Sequence, residues 1–251
     1  MDIYLSVIIP AYNEEKTIAK TLESILDYLS KQNFLSEIIV VSDGSQDKTA
    51  EIVGSFSNPG LGSNVANISV IDRKENRGKG YTVREGMLKA GGTIRLFMDA
   101  DNSTDISHFN LMKRYFTERY DVVIGSRDSK DAEGAKQDVP QPWFKRLLGN
   151  LGNLFIQIAA VPGIWDTQCG FKAFTAEAAK NIFSKDKIDR WGFDIETLAL
   201  ARLLKYKIAI IPVHWVNKPG SRVKFSAYFE VLWETIKIRK EIKKLKHQTT
   251  S

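Results

Sequence analysis

The sequence predicts an α/β fold: a single, mostly parallel sheet flanked by helices, with an amphipathic helix at the C-terminal end. Three observations predict it. Short β-branched runs alternate with helical patterns through the first half of the chain. Those runs are apolar almost throughout, as strands covered on both faces must be. Polar clusters rich in Asp, Asn and Gly follow three of them, where open α/β sheets collect their ligands.

Taken in order, strands are expected at Leu5–Ile9, Glu37–Val41, Ile68–Ile71, Ile94–Met98 and Val122–Gly125. Helices fall between them near Glu14–Leu29, Asp47–Phe56, Gly80–Ala90 and Ser107–Arg119. Asn13 and Ser45 stand where N-caps would stand. Asn58 to Asn64 is turn chemistry, and Arg127 to Pro142 is a polar stretch without periodicity, by its length a functional or a disordered loop. An amphipathic helix follows around Trp143–Ala160, then a short strand at Phe171–Phe174. Helices come next near Ala176–Phe183 and Phe193–Lys205, a strand at Ile208–Val213, and a last helix from about Ser226.

The chain has 251 residues, 43% hydrophobic and 26% charged, which excludes disordered and collagen-like classes. Its first residues read as a strand rather than a secretory signal. No apolar run reaches the roughly 18 residues of a spanning helix. The single Cys169 cannot form an internal disulfide and fits a reducing compartment. Of the net charge of +6, much lies in Lys237 to His247, KIRKEIKKLKH. Such a tail suits an anionic membrane, an acidic partner or nucleic acid. No helix-turn-helix, zinc or RRM signature accompanies it, so nucleic acid is not expected as a partner.

Three polar clusters share one rim of the expected sheet: Pro10-Ala11-Tyr12-Asn13-Glu14, Ser42-Asp43-Gly44-Ser45 and Asp99-Ala100-Asp101. The last is the sharpest. Two carboxylates at i and i+2 after a buried strand can approach one Mg²⁺ or Mn²⁺, which prefers oxygen ligands and commonly bridges to substrate phosphates. Its bland alternative is that Asp101-Asn102-Ser103 caps the next helix. Asn76-Arg77-Gly78-Lys79-Gly80 carries glycines that would let backbone N–H groups approach an anion, with Lys79 adding charge. It matches neither the Walker nor the dinucleotide fingerprint.

The order PAYNE, SDGS, NRGKG, DAD, GSR, DTQCGFK, RWGFD and a late GSR, over Leu5 to Phe225, resembles the family 2 glycosyltransferases of GT-A fold. It is most similar to their polyprenyl-phosphate branch, the dolichyl-phosphate glucosyl- and mannosyltransferases. Asp166 to Lys172 and Arg190 to Asp194 resemble the glucosyl type. The resemblance implies a Rossmann-like GT-A catalytic domain over residues 1–224, with residues 225–251 as a basic amphipathic helix at a membrane interface.

It further implies inverting transfer of one hexose, glucose from UDP-glucose by preference, to a polyprenyl phosphate at the cytoplasmic face of a membrane. GDP-mannose as donor and a saccharide hydroxyl as acceptor are the alternatives. Pro10, Tyr12 and Glu14 would contact the nucleoside and Asp43 the base. Lys79 would lie near the nucleotide, and Asp99, Ala100 and Asp101 would hold the divalent cation and diphosphate. Arg127 and Arg146, with Lys172, would grip the acceptor phosphate, and Arg222 and Lys224 would close over donor or acceptor. Two departures stand out: Ser42 replaces the first Asp of the usual Asp-Asp-Gly-Ser, and Ser103 stands where some relatives carry a Gln. A phosphate acceptor is largely dianionic at neutral pH, its second pKa being near 6, and hardly needs a base. A sugar hydroxyl would need one, with Asp166 or Asp194 as candidates. Asp166 is equally suited to orient an acceptor-binding Arg.

The enzyme is expected to be peripheral. The helix near Trp143 to Leu148 and the last helix, with Phe225, Phe229, Leu232 and Ile236 on one face, are the candidate lipid contacts. Packing of each stripe against the domain is the alternative.

Overall fold

The computed structural model describes residues 2–56, 64–137, 152–216 and 226–250. Strands β1 (Leu5–Ala11), β2 (Ser36–Asp43), β3 (Val65–Arg73), β4 (Ile94–Met98) and β5 (Val122–Ser126) alternate with helices α1 (Ile18–Ser30), α2 (Thr49–Ser55), α3 (Lys79–Lys89) and α4 (Phe109–Thr117). A two-residue β6 (Lys136–Gln137) falls inside the expected loop, and helix α5 occupies 152–159. β7 (Phe171–Thr175), α6 (Ala176–Phe183), α7 (Phe193–Leu203), β8 (Ile208–Pro212), β9 (His214–Trp215) and α8 (Ser226–Thr250) complete the chain.

Seven strands form one sheet in the order β3-β2-β1-β4-β7-β5-β8, and β6 pairs with β9 apart from it. The strand order reverses direction between β1 and β4, the switch point at which such sheets bind ligands. The alternation of side chains explains why the strands read as continuous apolar runs. Leu5, Val7, Ile9, Ile38, Val40, Leu96 and Met98 pack on one face against α1 and α4. Ile8, Ile39, Val41, Phe97, Val122 and Ile124 pack on the other against α3, α6 and α7. Each fully buried aliphatic or Phe side chain contributes roughly 1.5–3 kcal/mol.

β7 is the exception that shapes the site. It runs antiparallel to both neighbours, with Met98 opposite Phe171 and Ile124 opposite Lys172. The segment preceding β7 therefore arrives at the rim where β4 and β5 end, bringing Asp166 to Gly170 to the ends of both.

The expected caps work differently. Helix α1 starts at Ile18, with Thr17 at its N-cap, and Asn13 takes a left-handed φ of 52°. Asn13 instead ties two loops: its N–H donates to Ser45 Oγ (3.0 Å) and its Oδ1 accepts from Gln46 N (2.7 Å). Helix α2 starts at Thr49, where Asp47 accepts from the Thr49 N–H (3.0 Å). Side-chain bonds across the rim win over local capping. Residues 58–63 and 143–151, where turn chemistry and the first lipid-facing helix are expected, lie outside the described residues.

Candidate active site

Asp99 and Asp101 follow β4 directly. The Asp99 side chain keeps 31% of its surface exposed and accepts a hydrogen bond from Lys79 Nζ at 2.6 Å. Asp101 Oδ1 accepts from the Ser103 N–H at 2.9 Å, so the capping role and the rim position coexist. Between them Ala100 is buried, its carbonyl fixed by Thr21 Oγ1 at 2.7 Å. Burial pulls the Lys79 ammonium down, but Asp99, Asp194 and Asp101 outweigh it and hold its pKa above the ordinary value. Lys79 thus stays charged.

The glycine-rich segment departs from expectation. Its N–H groups do meet an anion, and that anion is the protein's own. The Asp43 carboxylate accepts from Arg77 N and Gly78 N, both at 2.8 Å, and pairs with Arg73 at 2.9 Å. Asp43 is only 3% exposed. The resemblance puts it on the base; in this structure it anchors the loop that carries Lys79. The glycines serve close packing. Gly78 sits at φ 103°, and a Cβ there or at Gly80 would overlap the carbonyls of Asp189 and Ile188. Arg73, which sequence reasoning missed, completes the Asp43 cluster.

Arg127, just past β5, is held by Asp166 through a two-pronged pair. Arg127 Nε donates to Asp166 Oδ2 and one terminal nitrogen to Oδ1, each at 2.8 Å, and the Arg127 N–H adds a third bond at 2.8 Å. Asp131 in turn fixes the Asp166 loop, accepting from Trp165 N (2.8 Å) and Asp166 N (2.7 Å). Burial pushes the Asp166 carboxyl up, but the facing guanidinium and its hydrogen bonds bring the net pKa below the ordinary value. Burial likewise acts against the charge on Arg127, and Asp166 more than restores it. An ionised, fully engaged carboxylate is a weak base, so Asp166 acts as the orienting partner of Arg127. A guanidinium has five N–H donors. The pair uses two of them, leaving three to be offered elsewhere.

Lys172 requires a correction. On β7 it faces the second core, its side chain has no exposed surface, and its ammonium pairs with Asp194 and donates to the Cys169 carbonyl at 2.6 Å. It cannot grip a phosphate in the cleft; period-2 alternation turns it inward to meet the first turn of α7. Burial pushes the Asp194 carboxyl up, with Lys172 and Lys79 opposing. Buried and paired, Asp194 is poorly placed as a base.

On the first strand, Pro10 is buried within β1, Tyr12 is 39% exposed at the rim, and the Glu14 N–H donates to Thr49 Oγ1 at 2.7 Å. Arg146, Arg222 and Lys224 lie outside the described residues. One further group escaped the sequence. The loop 187–192, which backs Gly78 and Gly80, is strapped to α8: Glu234 accepts from Gly192 N (2.7 Å), Lys187 pairs with Glu241 (2.5 Å) and Arg190 with Glu230 (3.6 Å).

Two acceptor-only carboxylates at a polar rim fit a hard divalent cation. Among the described residues no three His, Cys, Asp or Glu side chains gather as a metal cage.

The sequence matches the family described as Glycosyl transferase family 2 over residues 6–183. It is 37% identical over 246 residues to a dolichyl-phosphate beta-glucosyltransferase of Trichomonas vaginalis, covering 94% of this chain and 73% of the other. With the dolichyl-phosphate beta-glucosyltransferase of Homo sapiens the identity is 35% over 230 residues, covering 87% and 69%. The solved glucosyl-3-phosphoglycerate synthase of Mycobacterium tuberculosis, in complex with Mn²⁺, UDP-glucose and phosphoglyceric acid, aligns with a TM-score of 0.66 at 17% identity. That alignment covers 96% of this chain and 79% of the other, a likeness of GT-A fold.

Proposed function

This chain belongs to glycosyl transferase family 2, in its dolichyl-phosphate beta-glucosyltransferase branch, and we propose that it transfers glucose from UDP-glucose to a dolichyl or related polyprenyl phosphate. The transfer would invert the anomeric carbon and take place at the cytoplasmic face of a membrane, with the enzyme held there peripherally. The observation that carries the reading is the pairing of a carboxylate–lysine centre, Asp99 with Lys79, with a guanidinium pre-oriented by Asp166 across β7.

Each part has a task. Asp99 and Asp101 would hold the divalent cation, which supplies Lewis-acid neutralisation of the leaving diphosphate. Lys79 adds a fixed positive charge on the same side, in a site where preorganised charge is effective. Arg127, with its remaining donors, positions the acceptor phosphate, whose oxygens suit a planar guanidinium. The acceptor oxygen already carries negative charge, so no residue need remove its proton. The engagement of Asp166 by Arg127 and of Asp194 by Lys172 agrees with this.

Transfer from radiolabelled UDP-glucose to dolichyl phosphate in detergent, with Mg²⁺ or Mn²⁺ and then EDTA, tests the reading. Labelled lipid lost on chelation is expected. Labelling from GDP-mannose in its place would overturn the donor assignment, and product only with a saccharide acceptor would overturn the lipid phosphate.

A further inference from the structure

The segment leading into β7 joins the two halves of the site. At one end Asp166 holds Arg127, and at the other the Asp99 carboxylate occupies the space beside Gly170. Between those ends Thr167 and Cys169 are buried, and of residues 166–171 Gln168 alone is not. Its Nε2 donates to the Trp191 carbonyl at 3.3 Å. That carbonyl belongs to a loop already fixed: the N–H of the next residue, Gly192, is pinned to Glu234, and Lys79 Nζ lies 5.9 Å from the centre of the Trp191 ring. A primary amide carries two N–H donors and a carbonyl acceptor. One donor is used here, and among the described residues Gln168 Oε1 meets no donor. The side chain is therefore held by one atom and partly open, with an acceptor and a donor left over.

During transfer the hexose must lie between the leaving diphosphate and the attacking phosphate. The proposed function puts the first at Asp99 and Lys79 and the second at Arg127, and residue 168 stands midway along the segment that joins them. We propose that Gln168 is a specificity-determining residue, whose remaining amide atoms hydrogen-bond a hydroxyl of the transferred hexose. The inference rests on the donor half of the proposed function and deepens it, since the cation and Lys79 answer to the diphosphate whatever sugar it carries. The neighbours of Gln168 leave the task to it. Every charged side chain of 166–172 and 190–194, namely Asp166, Lys172, Arg190 and Asp194, is taken up by an ion pair. The bond to Trp191 also orders the Gln168 side chain in advance, which lowers the entropy cost of binding. A donor lacking the matching hydroxyl would leave the amide atoms unpaired, the basis on which a polar site discriminates.

Calorimetric binding of UDP-glucose, of its monodeoxy analogues and of UDP, with Mg²⁺ present, tests this in the full chain and in Gln168→Ala. In the unmodified chain one analogue should bind about tenfold more weakly than UDP-glucose. In Gln168→Ala, UDP-glucose should weaken by a similar factor, while that analogue and UDP bind as they do to the unmodified chain. A strut that merely holds loop 187–192 behaves otherwise: its loss weakens UDP-glucose, every analogue and UDP alike, and that result would overturn the proposal. So would an unaltered affinity for UDP-glucose in the variant. Gln168→Met keeps the length without the amide and carries the same comparison should the alanine variant fail to fold. If the unmodified chain shows this binding pattern yet does not glucosylate dolichyl phosphate, the acceptor reading falls and the role of Gln168 stands. Absence of UDP-glucose binding to the unmodified chain would overturn both.

Discussion

The carboxylate of Asp99 fills the space that a side chain at position 170 would need; only Gly170 leaves room for it. Antiparallel β7 brings this contact about, since its leading residues cross the end of β4. Gly170→Ala should therefore push Asp99 off its position beside Lys79. Displacements of about 1 Å at a reacting centre can cost a hundredfold in rate. We expect a loss of that order in kcat, with a Tm drop of only a few degrees because the strain is local.

Asp101→Ala should abolish cation-dependent transfer while the protein stays folded. The lost N–H acceptor at Ser103 costs about 1 kcal/mol by analogy with a helix cap. Cation titration of activity, alongside thermal unfolding, separates the two effects. Unchanged activity would remove Asp101 from the metal site.

The Arg127–Asp166 pair makes acid stability a signature. Burial raises the Asp166 carboxyl, but Arg127 outweighs it and the net folded-state pKa lies below the ordinary 3.8. The folded protein thus binds this proton less readily than the unfolded chain does. The pair's contribution is present in full above that ordinary value and drains away as pH falls through the lower folded-state pKa. Asp166→Asn should flatten this part of the stability-against-pH curve below pH about 4. It should also raise KM for the lipid phosphate, as Arg127 loses its orientation. A curve unchanged from the parent would refute the assignment.

Lys172→Met strands the buried Asp194 carboxylate, a loss of about 3–5 kcal/mol where a buried pair is broken on one side. Adding Asp194→Leu should recover most of it. A double-mutant cycle by urea denaturation would measure the coupling, and additive single effects would exclude it.

Asp43→Asn keeps the size but weakens both loop N–H bonds and the pair with Arg73. A cost of about 1–3 kcal/mol is expected for the partly unsatisfied cluster. Because the loop carries Lys79, KM for the nucleotide-sugar should rise. A rise confined to uridine-containing donors would instead place Asp43 on the base.

Much of this architecture was legible in the residues, and the failures share a cause. The five strands of the first half and the acidic rim follow from apolar runs and what succeeds them, local signals that the fold preserves. The direction of β7 is set by pairing with β4 and β5, which leaves no local mark, so Phe171–Phe174 read as a strand without an orientation. Lys172 was misplaced for the same reason: inward or outward depends on which face the register assigns. Asn13 and Ser45 have cap chemistry, yet each bonds across the rim. Gly78 and Gly80 read as an anion cradle because a glycine's need for space and its freedom of backbone look identical in sequence. The basic charge of α8 is legible in its composition, whereas its acidic straps to loop 187–192 need the third dimension.

Those straps have a mechanical consequence. The Gly78 and Gly80 backbone is interlocked with the carbonyls of Asp189 and Ile188, and Tyr81 N–H bonds the Asp189 carbonyl at 3.1 Å. The two loops therefore behave as meshed teeth: neither can slide by the width of a methyl group without carrying the other. Since Gly192 is pinned to Glu234, the train of parts runs from the Lys79 loop to a helix on the far side of the second core. Amide exchange at Tyr81 and Gly192 should slow together when a nucleotide-sugar binds, a linked stiffening that neither loop could show alone.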